Sequence, residues 1–151
     1  MNGKLPPRIL VLGTVALDQL TKWWALRVVP ERTELPGPFS LVVVYNKGAA
    51  FGSFGTMGPL LALVGTAAAF WCWTRLATSP RSIALSLALV CGGALGNVSD
   101  RVFRSPALGR GAVVDFLSVG DFPVFNVADM AVCIGVLMLV VVSFRRTNHT
   151  I

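Results

Sequence analysis

Charge is scarce in this chain, and negative charge is scarcest. Its 151 residues include seven Asp and Glu against thirteen Lys and Arg, and only 13% are charged while 54% are hydrophobic. A soluble domain carries roughly 25% charged residues, so this composition, with a mean hydropathy of +0.71, excludes one. Histidine occurs once, at His149 near the C-terminus. That excludes a Cys–His nucleophilic pair and a thermolysin-type zinc motif. The three cysteines, Cys72, Cys91 and Cys133, fall inside apolar runs with no metal-ligand spacing, and read as small hydrophobes. There is no Walker loop. Metal and nucleotide chemistry both lack ligands, so no metal or cofactor is expected.

What is present is apolar sequence in long runs. A spanning helix needs about 20 predominantly apolar residues. Four candidates stand out: Ile9–Val29, Pro59–Ala77, the shorter Ile83–Val98, and Val124–Phe144. The expectation is an all-α membrane protein with four transmembrane helices, one domain over residues 1–151. The first run, broken by Asp18-Gln19 and Lys22 and followed by no small-residue cleavage pattern, does not read as a removable signal peptide. The net charge of +6 suggests nucleic acid only superficially. The cations stand at the ends of apolar runs and form no basic face, so they read as topology determinants. Lys4, Arg8, Arg75, Arg81, Arg145 and Arg146 lie on one side in short segments. Arg27, Arg32, Lys47, Arg101, Arg104 and Arg110 lie on the other in longer ones. The count ties, and density favours cytoplasmic termini.

The connections carry the rest of the architecture. Phe39–Tyr45 is β-branched and aromatic and predicts a strand. It delivers Asn46-Lys47-Gly48-Ala49-Ala50-Phe51-Gly52, a small-residue stretch suited to a tight turn. The five-residue connection Thr78–Ser82 predicts that the second and third spans are antiparallel neighbours. With four spans, Asn46, Asp100, Asp115 and the start of the Asp129 helix meet at one membrane surface. Gly92 and Gly96 have the G-x-x-x-G spacing of close helix packing.

Four of the seven acids lie in or beside apolar segments, where a carboxylate is costly and is either paired or functional. Asp18 has Lys22 one helical turn later, a favourable i,i+4 order, which leaves open a buried ion pair or a substrate-facing role. Asp100 is followed by Arg101 and Arg104. Asp115, within Val113-Val114-Asp115-Phe116, has no cation nearer in sequence than Arg110, and Asp129 none nearer than Arg145. The echo Asn97-Val98-Ser99-Asp100 and Asn126-Val127-Ala128-Asp129 would pair Asp100 with Asp129 on spacing alone. The charge argument prefers Asp115 with Asp129, because an ion-paired Asp does not readily share a proton. Helix capping is the plain reading of Asn97 or Asn126, though it does not extend to an Asp129 set inside an apolar run. A competing function is a small proton-relay transporter using intramembrane aspartates. One-sided clustering of the acids and the lack of an inverted repeat speak against it.

Five blocks, Asp18-Gln19-Leu20-Thr21-Lys22, Asn46-Lys47-Gly48-Ala49-Ala50-Phe51, Gly92 to Asn97 with Asp100-Arg101, Val113-Val114-Asp115-Phe116, and Phe125-Asn126-Val127-Ala128-Asp129, together resemble the lipoprotein signal peptidases (signal peptidase II). They occur in the family's order over nearly the whole chain. Lys47 stands where Arg is usual and Ser99 where a bulky aliphatic is usual. The resemblance implies a bacterial inner-membrane aspartyl endopeptidase with four spans and a small extracytoplasmic β-subdomain. It would cut prolipoproteins just before a diacylglyceryl-modified cysteine and be inhibited by globomycin-type depsipeptides. It implies Asp115 and Asp129 as the catalytic pair. Asp18, Lys22, Asn46, Gly48, Asn97, Asp100, Arg101 and Asn126 would line or support the site, with membrane lipid around it and no nucleic-acid partner.

Overall fold

The computed structural model describes residues 6–29, 31–48, 57–106 and 109–147. Lys4, the stretch 49–52 of the expected small-residue turn, and the sequence after Thr147 lie outside the described residues. Four helices are present: α1 (Pro7–Val28), α2 (Gly58–Arg75), α3 (Arg81–Phe103) and α4 (Val127–Thr147). α1 and α2 open with proline in their first turn, where its missing N–H costs no hydrogen bond. The third apolar run forms a longer helix than expected, because α3 continues through Asn97-Val98-Ser99-Asp100-Arg101 to Phe103. The fourth starts later, at Val127. α3 and residues 127–145 of α4 are long and apolar enough to cross a membrane, with mean hydropathy 1.6 and 2.5. Among the described residues α1 and α2 do not pass that test.

α3 is the central helix, packed against the other three. Its small residues make this possible. A Cβ on Gly92 would stand 2.6 Å from Thr14 of α1, and one on Gly96 would stand 2.6 Å from the Asp18 carboxylate, while Gly93 lies against the Ala128 carbonyl of α4. The G-x-x-x-G pair therefore seats α1, and the intervening glycine seats α4. Core residues Val11, Ala69, Leu87, Ala88 and Cys91 fill the helix contacts. The outer surface is strongly apolar: Phe70, Leu63, Leu12 and Leu137 are 70%, 67%, 65% and 63% exposed. Apolar exposure on this scale suits hydrocarbon rather than water.

A three-stranded antiparallel sheet, ordered β1 (Thr33–Glu34), β2 (Phe39–Asn46) and β3 (Val113–Val119), closes one end. The strand expected at Phe39–Tyr45 is β2. Phe116 of the sheet packs on Ala25 and Val29 at the end of α1. Leu41 pairs with Leu117, but Val44 pairs with Asp115, so β2 holds one extra residue there. Side chains alternate faces with period two, and a one-residue slip exchanges the faces. The bulge therefore places Asn46, rather than Tyr45, on the same face as Asp115.

Candidate active site

β3 brings Asp115 to the centre of this end, 2% exposed. After β3 the chain turns through Gly120, whose φ is 51°, and returns so that Phe125 exchanges backbone hydrogen bonds with Leu117. That return sets Asn126 beside Asp115 and starts α4. Asn126 and Asp129 cap the helix reciprocally: the Asp129 N–H donates to Asn126 Oδ1 at 3.0 Å, and the Asn126 N–H donates to Asp129 Oδ2 at 3.2 Å. This is the capping-box exchange. It corrects the sequence reading that capping leaves Asp129 unexplained, because Asp129 stands in the first turn of α4 and not deep in an apolar run.

The cap also fixes which way the Asn126 amide points. With Oδ1 occupied by the Asp129 N–H, Nδ2 faces Asp115 Oδ1 at 2.6 Å and Asn97 Oδ1 at 3.1 Å. Asn46 Nδ2 donates to the other Asp115 oxygen at 3.0 Å, held in that sense because Asn46 Oδ1 accepts the Gly48 N–H at 3.0 Å. Asn97 Nδ2 donates to Asp129 Oδ1 at 2.7 Å. Both carboxylates are thus gripped by amides, with Asn126 joining them. Among the described residues neither makes a salt bridge.

A second group lies beneath. Lys22, fully buried, bonds Asp18 Oδ2 at 2.8 Å, Asp100 Oδ2 at 2.9 Å and Asn97 Oδ1 at 3.1 Å. Asp18 Oδ1 accepts the Ala128 N–H at 3.0 Å, a further cap on α4. Asp100 also accepts from Arg104 Nε at 2.8 Å and the Val114 N–H at 3.0 Å. Gln19 Nε2 reaches Asp18, Asp100 and the Gly96 carbonyl at 3.1–3.2 Å. Arg101 departs from expectation. It is not held by Asp100; its Nη1 donates to the Asn97 carbonyl at 3.4 Å, and its buried Nε has no partner among the described residues. Its charge acts on Asp115 and Asp129.

All ten residues singled out from the sequence, Asp18, Lys22, Asn46, Gly48, Asn97, Asp100, Arg101, Asp115, Asn126 and Asp129, therefore join one connected network. Sequence reasoning passed over Gln19 and gave Arg104 only a minor part. The signal for Gln19 was its polar amide next to Asp18 in an apolar run. The remaining acids, Glu31, Glu34 and Asp121, lie on connections at the same end, so no series of acids crosses the helices as a proton relay requires.

Four carboxylates, Asp18, Asp100, Asp115 and Asp129, share this end with three cations, Lys22, Arg101 and Arg104. One proton on the amide-held pair makes the group neutral. Asp115 is the natural place for it. Burial pushes its carboxyl up to about 6 and the Asp129 charge adds to this, against the hydrogen bonds from Asn46 and Asn126 and the Lys22 charge. Two carboxyls that share a proton and activate water are the working parts of an aspartyl protease.

The chain is similar to proteins of known type. The chain is 42% identical to the lipoprotein signal peptidase of Mycobacterium leprae, covering 94% of this chain and 76% of that protein. It is 48% identical to that of Rhodococcus jostii, covering 94% and 79%. Its fold matches a bacterial membrane enzyme solved by the in meso method at 2.3 Å resolution, with a TM-score of 0.80 and 25% identity over 95% of this chain and 90% of that one. The sequence profile of signal peptidase (SPase) II matches residues 10–145, and the chain belongs to that family.

Proposed function

We propose that this protein is an aspartyl endopeptidase that removes signal peptides from prolipoproteins, cutting before a diacylglyceryl-modified cysteine, with Asp115 and Asp129 as the catalytic pair. One observation carries the reading. Asp115 and Asp129 are joined through Asn126 and held by amides, whereas the other two buried carboxylates are salt-bridged. In the proposed reaction Asp115 carries the shared proton and Asp129 takes a proton from water. The water attacks the scissile carbonyl while Asp115 donates to its oxygen, and a proton then passes to the leaving amine. Arg101, with a buried N–H unused, supplies positive charge to the pair as Asp115 gives up its proton and becomes negative. Asn46, Asn97 and Asn126 hold the two carboxyls in place.

The setting is a bacterial inner membrane crossed four times, with both termini cytoplasmic and the pair near the outer surface. Two arginine–tryptophan belts support it. Arg8 stacks on Trp73 and Arg75 on Trp71 at one end, and Arg27 on Trp23 at the other; such residues anchor at membrane interfaces. Globomycin-type depsipeptides would occupy the same site. The test is purified protein in detergent with a diacylglyceryl-modified prolipoprotein and no added metal. Cleavage before the lipidated cysteine is expected. An intact substrate under conditions where the protein is folded sinks the proposal.

A further inference from the structure

Two apolar hollows lie end to end along one face of α1. One, about 530 Å³, lies among α1, α2 and α3 with Val11, Leu12, Cys91, Leu95 and Ser99 among its walls. The other, about 560 Å³, is walled by Ala16, Gln19, Leu20, Trp23 and Leu26, with Arg104 at its rim. Leu12, Ala16, Leu20 and Trp23 follow one another at three- and four-residue steps, so the two hollows succeed each other along one side of α1 and together mark a groove there. From Leu12 to Trp23 it runs about 16 Å at 1.5 Å per residue, close to the depth of one leaflet of a roughly 30 Å hydrocarbon core.

This groove is on the far side of α3 from the amide-held carboxylates. Asn97, which binds Asp129, and Ser99, which walls the first hollow, are about 200° apart around the helix. The rim carries two cationic groups. Arg104 bonds Asp100 through Nε, lines this hollow, and its side chain is 28% exposed. Arg27 lies over the Trp23 ring, 3.8 Å from its centroid. Positive charge at the interfacial end of a one-leaflet apolar groove complements a phosphate on an acyl chain.

We propose that the α1–α3 groove is the seat of a resident anionic phospholipid of the bilayer, with its phosphate at Arg104 and one acyl chain running down past Ala16 to Leu12. Through Arg104 and Asp100 the lipid would brace the Lys22 cluster from outside, separately from any substrate lipid.

Native mass spectrometry of the delipidated full-length protein, titrated with phosphatidylglycerol and with phosphatidylcholine of identical chains, tests this. The wild type is expected to retain one phosphatidylglycerol with at least about tenfold preference over phosphatidylcholine, which carries the same phosphate but adds a quaternary ammonium that the Arg104 and Arg27 guanidinium groups repel. Arg104→Gln removes the preference. Ala16→Trp, on the exposed apolar wall, fills the groove and weakens binding of both lipids while the protein melts with the wild type. Equal retention of the two lipids by the wild type overturns the proposal, as does unchanged phosphatidylglycerol binding in Ala16→Trp. If Ala16→Trp instead raises KM for the lipidated prolipoprotein and leaves phosphatidylglycerol binding intact, the groove seats the substrate's chains and the resident-lipid assignment is wrong.

Discussion

Two carboxylate pairs lie side by side at one end of this molecule and are held in opposite ways. Asp18 and Asp100 close on the Lys22 ammonium, with Arg104 added on Asp100. Asp115 and Asp129 are held by the amides of Asn46, Asn97 and Asn126. A cation bonded to a buried carboxylate favours its ionised form and so works against its holding a proton to exchange. An amide fixes a carboxyl's position without neutralising it, so a neighbouring pair can hold one proton between them. The first arrangement makes a brace between α1, α3 and the start of α4. The second makes a site that can take and give protons, and Asn97 touches both because its oxygen accepts from Lys22 while its nitrogen donates to Asp129.

The largest effect expected from breaking this contrast is on rate. Asp129→Asn keeps the shape but cannot take a proton from water. Single-turnover cleavage should fall by at least about 10²–10⁴-fold, the usual contribution of a general base, while thermal unfolding stays near the wild type. Next is the brace. Asp18→Ala leaves Lys22 with one partner fewer and the Ala128 N–H without its cap, and breaking a buried pair from one side costs about 3–5 kcal/mol. The expected result is a large fall in melting temperature or yield, with measurable turnover in the protein that remains folded. Normal accumulation with no turnover would move Asp18 into the catalytic set. The smallest effect is on pH dependence. The Asn46 hydrogen bond favours ionised Asp115, so Asn46→Ala should raise the Asp115 pKa above its value of about 6. If protonated Asp115 is the donor, kcat/KM falls as pH rises through that value. In Asn46→Ala this alkaline limb should move to higher pH; a move to lower pH would contradict the assignment.

Much of this was legible in the sequence because composition and local charge spacing carry it. The apolar runs became helices, the glycines of Gly92 to Gly96 became close contacts, and the absence of a sequence-local cation at Asp115 and Asp129 matched the absence, among the described residues, of a salt bridge to either. Other features depend on pairing across the chain, which local reading does not reach. The capping exchange of Asn126 with Asp129 became visible only once α4 was seen to begin at Val127. The β2 bulge that turns Asn46 toward Asp115 depends on register against β3, 69 residues away. Arg101 was expected on Asp100, its neighbour in sequence, yet the helix turns it toward Asn97 and the amide-held pair.

The central claim is that a cation's bond, not sequence spacing, separates the structural aspartates from the catalytic ones. The most direct measurement is a paired one: kcat/KM on a diacylglyceryl-modified prolipoprotein for Asp115→Asn and Asp100→Asn, each shown to be folded by its melting curve. The expected result is an inactive, folded Asp115→Asn beside an Asp100→Asn that is less stable but still cleaves. A folded Asp115→Asn with near-normal turnover, beside a folded and inactive Asp100→Asn, would contradict the account and restore the pairing that spacing alone selects.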